Sequence, residues 1–360
     1  MNVENRLKQL QTWLKEQGDQ FDALLITNPS NIRYLSGFTG TFAFLVIGKD
    51  EAFILTDSRY VLQAKTQSPH FQLLQLSRFT PPMSIANLCG EKNWAVLAFE
   101  RQDLSFDMYD KLMRCFGRVN LLAVEHAVEQ FRAVKDEEEL ALLAHAEHIG
   151  DMAFAHILNI IQPGMTEREI AFELEVKMRQ EGASGLSFDT IVASGNRSAM
   201  PHGVASDKVI EKGDLVVMDY GCVYEGYCSD MTRTIGIGTL TEAQKDLYHL
   251  VLHAQETALA HAKAGVIGDE MQQLVQKIFD EAGFGNYFGH GLGHSVGLDI
   301  HEEPRFSRNV DKAIPRGTVI TVEPGLYVPE IGGVRIEDMI ALTDEGHVNL
   351  THSPKELLIV

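Results

Sequence analysis

The sequence predicts an α/β (α+β) chain in two parts. Strand-length apolar runs alternate with helical stretches over residues 1–126, and residues 136–360 give the order helix pair, then strands, twice. At 360 residues and 45% hydrophobic content, the chain can bury the cores of two domains.

In order along the chain, an amphipathic helix near residues 4–17 ends at Gly18, whose freedom to adopt positive φ suits a helix C-terminus. Strands follow at DALLIT, FAFLVIG, AFILTD, FQLLQL, WAVLAFE and VNLLAV, with helices at SRYVLQAKTQ and FDMYDKLMRCFG. Residues 126–135 form a linker. KDEEEL then opens a long helix whose acidic first turn faces the positive end of the helix dipole, and that helix runs to about Ile161, before Pro163-Gly164. Thr166 to Glu169 and Thr241 to Gln244 are capping boxes for later helices, and the second helix pair ends near Gly283.

The net charge of −19 excludes nucleic acid, whose phosphates need a basic surface, and anionic membranes as partners. Residues 1–18 carry charges throughout and no apolar run, so they read as no signal peptide, and no stretch approaches the length of a membrane span. Cys89, Cys115, Cys222 and Cys228 form no CxxC pair and read as reduced thiols, which places the protein in the cytoplasm.

The chemistry concentrates in the second part. Asp219 and Asp230 stand eleven residues apart in MDYGCVYEGYCSDMTRT, His294 lies in YFGHGLGHSVGLDIHEEP, and Glu323 and Glu337 lie in TVEPGLY and GGVRIEDM. A lone aspartate at a strand end ordinarily caps a turn, and a lone buried histidine ordinarily packs. Four carboxylates and an imidazole together can hold two divalent cations. The oxygen-rich set suits Mn²⁺, Co²⁺ or Zn²⁺. Such a pair activates water and polarises a carbonyl, the requirements of hydrolysis. A hairpin between Asp219 and Asp230 would bring both carboxylates to one wall. The glycines of GHGLGH follow no strand–turn–helix context, so they are read as permitting close backbone approach rather than as a nucleotide fingerprint. Arg335 stands two residues before Glu337, a spacing that on a strand puts both on one face and lets the arginine orient the carboxylate.

The order and spacing of these motifs resemble the metallopeptidase family with the pita-bread fold, which contains methionine aminopeptidases, prolidases and Xaa-Pro aminopeptidases. The resemblance covers roughly residues 136–352, and none of the family's metal ligands is missing. PSNIRYLSGFTG and TDSRYVLQA resemble the N-terminal domain of prolidases, Xaa-Pro aminopeptidases and creatinases, which methionine aminopeptidases generally lack. The resemblance implies a creatinase/prolidase-like domain over 1–126 and a pseudo-twofold pita-bread catalytic domain over 136–360. It implies that Asp219 binds one metal, that Asp230 and Glu337 bridge two, and that His294 and Glu323 complete the second, with Mn²⁺ the first choice of ion. Glu323 is then the general base. His301 would donate to the developing oxyanion, and His202 and His290 would position the substrate.

The implied reaction is hydrolysis of the bond before proline in a proline-containing peptide, by a homodimer. The compact first domain resembles that of bacterial aminopeptidases, and no arginine in the catalytic motifs stands out as a partner for a proline carboxylate. The expectation is therefore an Xaa-Pro aminopeptidase, with an Xaa-Pro dipeptidase as the alternative. A metal-free creatinase-like hydrolase and an inactive binding module are disfavoured by the complete ligand set.

Overall fold

The computed structural model describes residues 2–76 and 80–360, which divide into compact units Met1–Arg132 and Ala133–Val360. In the first unit the order is α1 (Val3–Glu16), β1 (Ala23–Ile26), α2 (Pro29–Ser36), β2 (Phe44–Gly48), β3 (Ala52–Thr56), α3 (Val61–Gln67), β4 (Gln72–Gln75), α4 (Pro81–Lys92), β5 (Val96–Glu100), α5 (Phe106–Cys115), β6 (Asn120–Val124) and α6 (Glu129–Arg132). The strands form one mixed sheet in the order β4-β3-β2-β1-β5-β6. The β1, β2 and β3 positions are buried almost without exception, so they read as continuous apolar runs rather than as alternation.

Two helices of this unit escape the sequence reading. The first is α2, capped by Asn28, whose side chain accepts from the Asn31 amide, and ended by Gly37 at φ 73°. The second is α4, whose Pro-Pro start and internal Gly90 hide its periodicity. The linker region contains the helical turn α6, where buried Arg132 donates to the Asn31 side chain at 2.7 Å.

The second unit begins with the helix pair α7 (Glu137–Ile157) and α8 (Glu167–Gln180). The strands β7 (Gly185–Leu186), β8 (Ile191–Ser194), β9 (Leu215–Tyr220), β10 (Cys222–Tyr224), β11 (Tyr227–Cys228) and β12 (Met231–Gly236) follow. The second pair is α9 (Glu242–His261) and α10 (Gly268–Glu281), followed by β13 (Gly293–Ser295), β14 (Glu302–Phe306), β15 (Val319–Val322), β16 (Gly325–Val328), β17 (Gly332–Arg335), β18 (Asp338–Leu342) and β19 (His347–Asn349). Each half buries one face of its helix pair on its own strands. Phe154, Leu174 and Met178 meet Val192, Met218 and Ile235 in the first half, and Val251, Val275 and Phe279 meet Ile320 and Ile340 in the second.

Complete capping boxes start α7 (Asp136 with Glu139), α8 (Thr166 with Glu169) and α9 (Thr241 with Gln244). The helix α7 ends at Ile157, four residues short of the sequence estimate, because a turn separates it from Pro163. Cys222 and Cys228 are free thiols, as are the other two cysteines.

The glycines of GHGLGH differ in purpose. A β-carbon on Gly293 would lie 1.9 Å from the Thr321 carbonyl oxygen of the paired strand, whereas one on Gly289 would meet nothing within 4 Å. Gly293→Ala must therefore push β13 away from β15. It is expected to destabilise the metal-free protein by at least ~2 kcal/mol, the upper range for overpacking, and Gly289→Ala by less than about 0.5 kcal/mol. Urea unfolding of both variants checks this, and equal stability of the two would refute the close-approach explanation.

Candidate metal centre

Strand register places the five ligand candidates. Asp219 of β9 lies opposite Thr232 of β12, so Asp230, two residues earlier on the same face, is its diagonal neighbour. Val322 of β15 pairs with Asp338 of β18, so Glu323 and Glu337, one residue beyond at the same end, face each other. His294 comes from β13, which pairs with β15 through Ser295 and Ile320. The Glu337 amide donates to the Thr232 carbonyl at 3.1 Å, joining the strands of the two halves.

All five side chains line one cavity of about 620 Å³, together with His202, His290, His301, Tyr327 and Arg335. Asp230, His294 and Glu337 form the tightest group, with one ligand atom from each lying within 4.8 Å of the others. His294 Nε2 is 3.5 Å from Asp230 Oδ2 and 3.4 Å from Glu323 Oε1. Asp219 reaches the group with one oxygen held by Arg335 Nη2 at 2.5 Å, while its buried Oδ1 has no hydrogen-bond partner among the described residues.

The electrostatics fit a cation site. Burial, followed by the neighbouring Glu337, Asp219 and Glu323 charges, pushes the Asp230 carboxyl well above its ordinary range. Burial and then Glu337 do the same to Glu323, and burial and then Asp219 raise Glu337 to about 8. Burial, and secondarily the nearby His301, lower His294 to about 4. Its ring is therefore neutral. With Nδ1 turned to the Ser295 carbonyl at 3.2 Å, the lone pair sits on Nε2, toward the carboxylates. An orphaned buried oxygen, a bare imidazole nitrogen and crowded carboxylates are the donor set that two divalent cations would complete.

Hydroxyls and one guanidinium hold this set in place. Thr232 Oγ1 donates to Glu337 Oε2 at 2.6 Å and accepts from Arg335 Nε at 3.0 Å. Thr321 Oγ1 accepts from the His294 amide at 3.1 Å and donates to Glu323 Oε1 at 3.3 Å. Arg335 does not bond Glu337 as the strand spacing suggested. The strand β17 ends at Arg335, so the alternation does not carry on to residue 337. The guanidinium instead spans Asp219, the Tyr327 hydroxyl (2.6 Å) and the Pro201 carbonyl (3.2 Å), and acts on Glu337 through Thr232.

The three further histidines are in different situations. His290 is enclosed: Nδ1 donates to the Gly291 carbonyl at 2.8 Å, and Nε2 accepts from the Tyr327 hydroxyl at 2.9 Å. Burial, then Arg335, lower its pKa to about 4. His301 packs its ring 4.4 Å from that of His294 and stays accessible, with its pKa lowered by burial and by Arg305. His202 is exposed at the cavity wall. The sequence reading missed Tyr327, Thr232, Thr321 and Arg305. Thr232, Thr321 and Tyr327 sit inside quoted motifs and Arg305 directly follows one, four residues beyond His301, but nothing in the spacing marks them.

A pseudo-twofold α/β unit with four carboxylates and a histidine at its strand ends defines a hydrolytic metalloenzyme of the pita-bread type. The chain belongs to metallopeptidase family M24, whose profile matches residues 141–344, and the Creatinase/Prolidase N-terminal domain matches residues 6–134. It is 38% identical to an Xaa-Pro dipeptidase of Pyrococcus furiosus over 99% of this chain and 100% of that one. Among solved structures it resembles an Xaa-Pro dipeptidase from Bacillus anthracis (42% identity, TM-score 0.96, all of both chains). It also resembles an X-Pro aminopeptidase from Thermotoga maritima (39% identity, TM-score 0.90, 97% of this chain and 100% of that one).

If Asp230 and Glu337 both bridge, losing either carboxylate removes a ligand of both ions. Asp230→Ala and Glu337→Ala are expected to retain fewer than one divalent ion per chain, and chelation should abolish peptidase activity that Mn²⁺ or Co²⁺ restores. Elemental analysis after dialysis checks the stoichiometry, and two ions retained by either variant would remove the bridging assignment.

Proposed function

We propose that this M24 metallopeptidase is an Xaa-Pro dipeptidase that hydrolyses the bond before a C-terminal proline, and that its proposed complement is two Mn²⁺ ions. This reverses the aminopeptidase expectation, which rested on the resemblance of the compact first domain to that of bacterial aminopeptidases and on finding no arginine to receive a proline carboxylate. Arg305 carries the new reading. It lines the cavity on β14, directly across from His294 of β13, and pairs with Glu303, whose side chain is half exposed. Opening that exposed pair costs little, whereas enclosing a substrate carboxylate without a cation would cost much. The two dipeptidases among the relatives support the same choice.

Bound cations would supply Lewis acidity and a lowered water pKa. The remaining work falls to the chain. Phe188, Ile191, Val204 and Ile300 give the cavity an apolar wall for the proline ring. Glu323 takes the proton of the attacking water. The accessible ring N–H of His301 donates to the carbonyl oxygen as charge develops on it. Arg335 keeps Asp219 and Tyr327 fixed, and Tyr327 in turn fixes His290. All five ligand candidates share one cavity, which argues against a metal-free hydrolase or an inactive module.

The four free cysteines suit a reducing, cytoplasmic setting, and no helix among the described residues is long and apolar enough to cross a membrane. We further propose a homodimer, checked by light scattering, with a monomer mass as the contrary result.

Two assays test the reaction. Ala-Pro is expected to be cleaved in preference to Ala-Pro-Ala, and Arg305→Met should raise KM for Ala-Pro at least about tenfold, the scale of a lost charged hydrogen bond, while sparing Ala-Pro-amide. Preference for the tripeptide would restore the aminopeptidase reading. His301→Ala should lower kcat by roughly 10²-fold at normal metal content, and an unchanged kcat would make His301 a packing residue.

A further inference from the structure

We infer that Asp189 is the specificity residue that receives the free α-ammonium group of the substrate. The inference rests on the exopeptidase reading of the same cavity. A dipeptide carries one positive and one negative end, so a site selective for it needs one uncommitted group of each sign. Five carboxylates line the cavity: Asp219, Asp230, Glu323 and Glu337 make up the metal set, and Asp189 is the fifth. Of the two arginines, Arg335 is engaged by Asp219, Tyr327 and Thr232, which leaves Arg305, held only by its exposed pair with Glu303, for the carboxylate end.

Backbone geometry explains why Asp189 faces the cavity. The Ser187 amide donates to the Gly221 carbonyl at 3.0 Å, and Ile191 pairs in register with Asp219. Four residue steps on one strand thus oppose two on the other, and the chain must bulge at residues 188–190. Bulges beside active sites characteristically re-aim side chains, and both Phe188 and Asp189 line the cavity. Gly221 answers first to a different neighbour, since a β-carbon there would lie 1.9 Å from the Ser229 carbonyl oxygen, and only secondarily to the bulge, where Phe188 Cε1 would be 3.2 Å away. Asp189 is exposed and has no hydrogen bond or ion pair with any described residue. Its charge is free to meet an incoming cation.

These two charges also sit on opposite halves of the pseudo-twofold unit. Asp189 lies two residues before Ile191, the partner of Asp219 in the β8–β9 wall, and Arg305 lies opposite His294 in the β13–β14 wall.

The test removes the charge from each side in turn, using Mn²⁺-loaded full-length protein. Propionyl-proline is Ala-Pro with hydrogen in place of the amino group, and it serves as a competitive inhibitor. Asp189→Asn is expected to raise KM for Ala-Pro at least about tenfold, while the inhibition constant of propionyl-proline changes less than twofold and metal content and Tm stay constant. Asp189→Glu should recover part of the loss. An unchanged KM, or equal losses for the charged and uncharged compounds, would overturn the inference while leaving the dipeptidase reading intact. If wild-type protein cleaves only Ala-Pro-Ala, the same comparison is made with propionyl-Pro-Ala. Cleavage of neither peptide would end both readings.

Discussion

Everything in the second unit answers to one constraint: four carboxylates converge in a corner from which water is largely excluded. Asp230 and Glu337 are 4% and 2% exposed, so their charges are poorly screened. At 4 Å, two like charges near a protein surface repel by about 4 kcal/mol, and here several such pairs overlap. Within the cavity one guanidinium, Arg335, touches the set directly. Strand register and buried hydroxyls hold the rest against their own repulsion, and the raised carboxyl pKa values express that stress. Divalent cations relieve it most completely, so the same crowding that would destabilise the metal-free site makes it selective for highly charged ions.

Neighbouring acids are kept out of this corner by strand alternation. Asp338 follows Glu337 immediately, yet it turns to the opposite face, where Arg233, Lys355, Gln255 and Asn349 all donate to it. Arg233 is itself saturated, giving hydrogen bonds to the carbonyls of Thr232, Glu337, Ser353 and Pro354. A fully satisfied buried pair thus lies directly behind the ligand strand and holds its backbone, the arrangement in which a buried ion pair is tolerated. Two other buried acids work through amides. Glu147 accepts from the Asp230 N–H and from Thr351, and Glu167 gathers the amides of Ser194 and Ser206 with Arg197, closing the loop that carries His202.

What the sequence made legible was whatever depends on local spacing. The capping boxes at Thr166 and Thr241, the buried strands of the first unit and the D-x10-D hairpin follow from patterns a few residues long. What it concealed depends on contacts between residues far apart in the chain. Nothing near Thr232 shows that it will meet Glu337, 105 positions away, and nothing in HEEPRF shows that Arg305 will face the cavity across from His294. The direct contact of Arg335 with Glu337 that the strand spacing suggested is replaced by one through Thr232, because a strand ends between the two residues used to argue it.

The three accessory histidines show how such contacts divide labour among identical side chains. Arg335 donates to the Tyr327 oxygen, which leaves the tyrosine hydrogen to go to His290 Nε2, and His290 Nδ1–H then goes to Gly291. That chain fixes one tautomer and engages both ring nitrogens, so His290 can shape the cavity but has no free N–H for a developing oxyanion. His301 has no such chain, packs against the candidate ligand His294 by its ring, and keeps its access to the cavity. Burial and nearby positive groups keep it neutral, so it carries one N–H and one lone pair. Hydrogen-bond direction thus gives a physical reason for the proposal, first drawn from the family resemblance, that His301 rather than His290 serves the carbonyl oxygen.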